Sequence, residues 1–290
     1  MIIDGHAYAY RAFHAIRDLR SPDGRPTNAI YGFIKMLAKL RATVEPSHLI
    51  VVWDGGLNAE RVARLPAYKA QRPEMPDGLK LQLDEIAGYL KAAGIASFCG
   101  EGVEADDYIA CLAKAAMGAG LNVVVASSDK DFMQLVSAQV GLLNPNDKSE
   151  AVWTDVQVRF KAGVAPSQIV DWLSLTGDTV DNIDGVPGVG PKTAAELLKQ
   201  FGSVPELYAR LGEVKSERLR TALRAATDDV LRNRELVRLR DDLPCEFSLE
   251  VLAGKPADAA RLRELYRCWG FKGLLAALEE ASHAQQAVLI

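Results

Sequence analysis

Three apolar runs that each stop on an aspartate constrain this chain more than any other feature. Met1-Ile2-Ile3 ends on Asp4-Gly5, Leu49-Ile50-Val51-Val52-Trp53 ends on Asp54-Gly55, and Asn122 to Ser128 ends on Asp129-Lys130-Asp131. The second is a continuous apolar run of the kind buried on both faces of a parallel sheet. Between the runs lie helical patterns: Thr27 to Arg41, Leu79 to Ala93, and Glu104 to Met117. Strand and helix in alternation imply an α/β fold with a parallel sheet and right-handed crossovers, whose ligand site lies outside the carboxyl ends of the strands. Asp4, Asp54 and Asp129 are expected to emerge there. Singly, each Asp-Gly is a turn signal. Asp129 and Asp131 are two apart, so in an extended chain both would point to one side.

Gly102-Val103-Glu104-Ala105-Asp106-Asp107 adds three carboxylates just before an apolar helical run. With a helix start near Glu104, Glu104 and Asp107 share a face, and the helix dipole offsets only about 1 kcal/mol of their repulsion. A cation between them would relieve the rest. A helix that merely begins with acidic residues has the same sequence, and it is the neighbouring carboxylates that weigh against that reading. Further on, Asp178 and Asp181 in Gly177-Asp178-Thr179-Val180-Asp181-Asn182 are three apart and fit one face of a helical turn.

Pro166 to Leu173 reads as a helix with proline at its start. Gly185-Val186-Pro187-Gly188-Val189-Gly190-Pro191-Lys192-Thr193 then describes a tight hairpin between two helices. Its backbone N–H groups can approach phosphate, with Lys192 adding charge. From about Val204 onward the chain is helical and charged, read as a solvated face. The stretch from Gly55 to Gly78 has no strong periodicity but interleaves Arg61, Arg64, Tyr68, Lys69 and Arg72 with prolines. If it turns helical over a substrate, Lys69 and Arg72 project together toward phosphate and Tyr68 can stack on an unpaired base.

Taken whole, the net charge of −4 is the wrong sign for a nucleic-acid binder. Setting aside the nine acidic residues Asp4, Asp54, Glu104, Asp106, Asp107, Asp129, Asp131, Asp178 and Asp181 leaves 34 basic residues against 29 acidic ones. A chain of 290 residues can bury a full core, and no apolar run approaches a membrane span, so a cytoplasmic protein is expected. Cys99, Cys111, Cys245 and Cys268 have no metal-ligand spacing and are expected as buried, reduced thiols.

With these residues in view the chain resembles the 5′ nuclease family: the 5′ to 3′ exonuclease domain of bacterial DNA polymerase I, its stand-alone relatives, phage 5′ nucleases and flap endonucleases. The resemblance covers about residues 1 to 205. It rests on Ile3-Asp4-Gly5 with Tyr10-Arg11, Trp53-Asp54, Tyr68-Lys69 with Arg72-Pro73, Gly102 to Asp107, Asp129 to Asp131, Gly177 to Asn182, and Gly185 to Gly190. It implies a PIN-like parallel-sheet nuclease core over residues 1–165, with a helical arch at about 56–80. A helix-hairpin-helix (H3TH) subdomain with C-terminal helices would follow over 166–290.

It further implies two or more Mg²⁺ (or Mn²⁺) ions, with Asp4, Asp54, Glu104, Asp106 and Asp107 as a first ligand group and Asp129, Asp131, Asp178 and Asp181 as a second. Lys69, Arg72 and Arg11 take catalytic roles in that scheme. Tyr68, Gly185, Gly188, Val189, Gly190, Lys192 and Thr193 contact DNA, and K⁺ is an ion the family's hairpin often binds. The implied substrates are DNA flaps, nicks and 5′ ends, with RNA/DNA hybrids beside them. The implied setting is a monomer in the nucleoid, coupled to a polymerase. His6, Ser128 and Asp184 depart from the usual family residues, and Asp184 puts a negative charge near the expected phosphate contact. Two other readings share part of this evidence: a PIN-like ribonuclease, which has no need of the hairpin, and a binding-only protein, for which nine carboxylates are an electrostatic liability.

Overall fold

The computed structural model describes residues 1–245 and 247–288. The chain divides into two compact units, each assembled from separated stretches: 1–53, 74–99 and 248–290 form one, and 54–73 with 100–247 form the other.

In the first unit the strand Ile50–Trp53 lies between Ile2–Asp4 and Ala96–Cys99, and both pairings are parallel. Val51 and Val52 are fully buried, as a central parallel strand requires. Asp4 closes its strand and caps the helix Gly5–Ala15, accepting from Ala7 N at 3.0 Å. That helix packs on Asn28–Val44, where Gly32 lets Ala12 approach; a Cβ there would meet Ala12 Cβ at 2.9 Å. Gln82, buried in the helix Asp77–Ala92, accepts from the N–H groups of Ala29 and Ile30 and so serves the first turn of a neighbouring helix. The C-terminal stretch completes this core. Tyr31 stacks edge-on to Phe271, Trp269 Nε1 donates to Glu85, and Leu49 N donates to Leu252 O at 3.0 Å.

In the second unit Val123–Ala126 runs parallel to Val140–Leu143, which pairs antiparallel with the short strand Val152–Trp153, so the strands are mixed rather than all parallel. The helix Ala105–Gly118 buries Ile109, Leu112 and Ala113 beside them. Ile169–Thr176 leads into a two-residue antiparallel hairpin, Gly177–Asp178 with Ile183–Asp184, and the chain then turns into the helix Pro191–Phe201. The expected helical turn at Asp178 to Asp181 is therefore a β-hairpin. Short helices, among them Glu217–Ala225 and Thr227–Val237, follow.

Among the described residues no helix is long and apolar enough to cross a membrane. None of the four cysteines is in a disulfide, but Cys99 and Cys268 are exposed, against the expectation of burial; the strand carrying Cys99 turns alternate side chains outward.

Candidate metal centre

Eight of the nine carboxylates fall in the second unit, and they divide into two groups of opposite electrostatic character. Asp54 follows the strand Ile50–Trp53, and its Oδ1 accepts from Ala105 N at 2.8 Å, pinning the start of the helix that carries Asp106 and Asp107. The chain around it is locked by Gly55 N to Val103 O and Gly102 N to Gly55 O; a Cβ on Gly55 would lie 1.7 Å from Gly100 O, so only glycine fits.

Glu104 and Asp107 are 1 % and 0 % exposed, yet each is matched by cations of the chain itself. Arg61, buried in the short helix Ala59–Arg64, reaches Asp107 with both ends of its fork at 2.8 Å and gives Glu104 Oε2 a further N–H. Lys69 Nζ lies 2.6 Å from Glu104 Oε1, which also accepts from the Tyr68 hydroxyl at 3.2 Å. Burial pushes the Glu104 carboxyl up, but Lys69 and Arg61 outweigh it and hold the group below the usual range. Lys69 is likewise depressed by burial and raised overall by Asp181, Asp106 and Glu104. Its ammonium stands 4.0 Å from Asp181 Oδ2, so one cation of the chain lies between the two carboxylate groups.

The second group is under-neutralised. Carboxylate oxygens of Asp131, Asp178 and Asp181 lie within 4.8 Å of one another. Lys130 reaches Asp178 Oδ2 at 3.2 Å and Arg72 reaches Asp181 Oδ1 at 2.6 Å, but Asp131 Oδ1 is buried with no hydrogen-bond partner. Burial first, and then the charges of Asp129, Asp178 and Asp181, raise Asp131 well above the ordinary carboxylate range. Asp129 is raised too, chiefly by burial. Three converging carboxylates, one of them with a buried oxygen that lacks any donor, fit a divalent cation.

Asp129 and Asp131 are not side by side on an extended chain. Asp129 caps a 3-10 helix, Lys130–Leu135, and its Oδ1 accepts from Asp131 N, a turn that folds Asp131 inward. Lys69 and Arg72 belong to a turn closed by Arg72 N to Lys69 O rather than to an extended helical face, and helix in 56–73 is confined to Ala59–Arg64. Lys69 adopts a left-handed backbone (φ 56°), and Lys69 N donates to Asp181 O. Tyr68, expected to offer its ring to a base, is 3 % exposed and turned onto Glu104.

In the hairpin Gly188, Gly190 and Lys192 are exposed and Thr193 half-buried, but Val189 is buried and its N–H is spent on Val186 O. Gly185 answers to packing: a Cβ there would meet Thr176 O at 2.3 Å. Asp4 and Arg11 belong to the first unit, Arg11 exposed on the helix that Asp4 caps.

Sequence reasoning passed over Arg61 and Lys130 as site residues. Lys130 had a signal in its place between two aspartates; Arg61 had none beyond lying in a basic stretch. Beside Arg61 opens a cavity of about 370 Å³ whose lining includes Arg64, Arg238 and Arg240.

A buried carboxylate set that calls for a cation, ringed by lysine and arginine on an α/β core, defines a metal-dependent enzyme of phosphate chemistry. The family profile for the 5′-3′ exonuclease N-terminal resolvase-like domain matches residues 1–163, and that for the 5′-3′ exonuclease C-terminal SAM fold matches 164–260. The chain belongs to the 5′-3′ exonuclease family.

A 5′-3′ exonuclease of Aquifex aeolicus is 41% identical over 94% of this chain and 93% of that protein. DNA polymerase I of Bacillus caldotenax is 38% identical over 100% of this chain but 33% of its own length, so the chain spans about a third of that relative. Among solved structures, the T5 D15 protein co-crystallized with metal ions superimposes with a TM-score of 0.65 at 25% identity, covering 82% of this chain and 88% of that one. The T5 5′-exonuclease with bound zinc gives 0.69 at 24% identity over 93% and 98%, a likeness of fold.

Proposed function

We propose that this chain is a Mg²⁺- or Mn²⁺-dependent structure-specific 5′ nuclease that hydrolyses phosphodiester bonds at DNA flaps, nicks and 5′ ends, and removes RNA primers paired to DNA. The observation that carries it is the convergence of Asp131, Asp178 and Asp181, together with the buried Asp131 Oδ1 that has no donor. Asp129, Asp131, Asp178 and Asp181 would hold one ion and Asp54, Glu104 and Asp106 a second, with Asp4 assigned to the metal set by its sequence motif alone. Two such ions would supply an activated water and neutralise the leaving oxygen.

The chain's own residues do the rest. Lys69 occupies a cation's place between the carboxylate groups; on arrival of the scissile phosphate its ammonium transfers from Glu104 to a phosphate oxygen and uncovers that carboxylate. Arg72, now on Asp181, takes the same phosphate from the other side, and Arg11 is assigned to the substrate's 5′ strand by its motif. Arg64 and Arg238, both exposed in the cavity beside Arg61, attract the single strand. Gly188, Gly190, Lys192 and Thr193 contact duplex backbone through N–H groups and one charge. Gly185 and Val189 shape that turn from within.

The reading includes a PIN-like core, an arch built on the stretch from Gly56, an H3TH hairpin that takes K⁺, a monomer acting in the cytoplasm, and partnership with a DNA polymerase. It is tested by incubating a labelled 5′ flap and a matching single-stranded RNA with Mg²⁺, and both with EDTA. Cleavage of the flap at its junction, stopped by EDTA, is expected; preference for the bare RNA supports the ribonuclease reading, and cleavage in EDTA removes the metal from the mechanism.

A further inference from the structure

Asp107 stands in the acidic motif beside Asp106, yet its surroundings differ from those of a carboxylate awaiting a cation. It is 0 % exposed and both of its oxygens are engaged: Oδ2 by Arg61 Nη1 at 2.8 Å, Oδ1 by Arg61 Nη2 at 2.8 Å and by the Arg240 backbone N–H at 2.9 Å. A planar fork on a carboxylate is the strongest of ordinary ion pairs and the most directional. Arg61 is fixed from a third side as well. Its Nε donates to Leu236 O at 3.0 Å and Nη2 to Arg238 O at 2.9 Å, while Gln134 holds the same strip by accepting from Leu239 N and donating to Val237 O. Glu104 is the only other side chain the guanidinium touches among the described residues, and it is touched on Oε2 alone. Oε1 is left to Tyr68 and to Lys69, the mobile cation of the proposed reaction.

We propose that Asp107 is the anchor of Arg61 and not a metal ligand, and that Arg61 is a positioning residue which fixes Glu104 through Oε2, so that Oε1 faces the ion once Lys69 leaves. The inference rests on the two-metal reading and deepens it. It makes a signed forecast, because removing one partner of a buried pair strands a charge whereas removing both does not. In Asp107→Asn the released arm of Arg61 falls on Glu104 and competes with the ion there. Taking Arg61 away as well relieves that competition. A true ligand, once lost, is not restored by deleting a neighbouring arginine.

The test is Mn²⁺ binding by calorimetry on the full chain, with single-turnover cleavage of a 5′ flap measured beside it. Asp107→Asn is expected to weaken Mn²⁺ by about 10- to 100-fold, the range of an outer partner. Arg61→Met/Asp107→Asn is expected to recover most of that loss while cleavage stays slow, because Glu104 has lost its fixed oxygen. Arg61→Lys, which keeps the charge without the fork, should bind Mn²⁺ like the parent and cleave slowly at saturating substrate with KM unchanged.

A loss in Asp107→Asn that the double variant does not relieve makes Asp107 a ligand and overturns the proposal, as does parental cleavage by Arg61→Lys. If Asp107→Asn does not fold, the double variant decides alone: Mn²⁺ binding within about tenfold of the parent's, short of the range for an uncompensated outer partner, supports the anchor, and any larger loss overturns it. Asp131→Asn is the control for the underlying reading. Unchanged Mn²⁺ binding in that variant would defeat the two-metal scheme itself, whatever Asp107 does.

Discussion

The Glu104–Asp107 group and the Asp131–Asp178–Asp181 group are made of the same chemical parts and are both buried, yet Glu104 in the first is held below its ordinary titration range and Asp131 in the second is driven above it. The difference lies in supply of cations. Arg61 and Lys69 penetrate the first group and match it in place, whereas Lys130 pairs with Asp178 and Arg72 with Asp181 in the second, and Asp131 Oδ1 is left unpaired. An acidic motif in a sequence therefore says little about cation demand until the distribution of lysine and arginine around it is known. On the two-metal reading the second group would take an ion directly, whereas the first would have to surrender a side chain to receive one.

The sharpest way to break this contrast is to remove the unpaired member. Asp131→Asn is expected to lower cleavage by about 10³-fold or more, since a bound metal contributes several kcal/mol of charge stabilisation. The same change should raise the thermal stability of the metal-free protein by removing a repelling buried charge. A drop in metal-free stability would show the two groups to be alike.

Next in size is Lys69→Ala, which converts the first group toward the second. Single-turnover cleavage of a saturating flap should fall by about 10²-fold, the loss expected for one electrostatic donor. Divalent binding measured without substrate should tighten, because Glu104 is uncovered. Weaker Mn²⁺ binding by this variant would mean that Lys69 supports the ion's place instead of filling it.

The smallest effect is read in pH. Asp131 is raised in the folded state, so its contribution to stability is present below its unfolded value and is lost as pH rises through the folded one; Glu104 is lowered, so its contribution is present above its unfolded value and lost as pH falls through the folded one. In EDTA, urea unfolding of the Asp131→Asn protein is therefore expected to lose part of the decline that the parent shows on going from acid toward neutral pH, the remainder belonging to Asp129. Mn²⁺ affinity of the parent should weaken on acidification already above the ordinary carboxylate range. Identical unfolding profiles for parent and variant would remove the basis of the comparison.

Much of this was legible in the chain because strand ends and helix starts announce themselves. The apolar runs before Asp4, Asp54 and Asp129 appear as Ile2–Asp4, Ile50–Trp53 and Val123–Ala126, and the patterns at Thr27, Leu79 and Glu104 as helices within a few residues. Ala96–Cys99 and Val140–Leu143 were missed: the first is half-exposed and only four residues long, and the second carries Gly141, whose Cβ would collide with Val152.

The turn that brings Asp131 inward depends on a side chain capping its own backbone, which two-residue spacing does not reveal. Arg61 was illegible for a different reason. Its partners lie 43, 46 and 175 residues away, and no local pattern distinguishes an arginine that will be buried from one that will be solvated.

The interleaving of the two units has a consequence in time. Tyr31 and Tyr89 find Phe271 and Tyr266 only when the last stretch exists, and the edge at Leu49 finds Leu252 there too. A ribosome adding roughly 5–20 residues per second takes on the order of 10–40 s to travel from the strand at Trp53 to that stretch. Throughout that interval the earliest strands and helices of the chain stand with apolar faces uncovered, and at its end 54–73 and 100–247 can close on themselves before the last stretch is made. The nascent chain is thus expected to acquire its acidic centre before its N-terminal core, and to be most exposed to aggregation, and to chaperones, just before synthesis reaches Trp269.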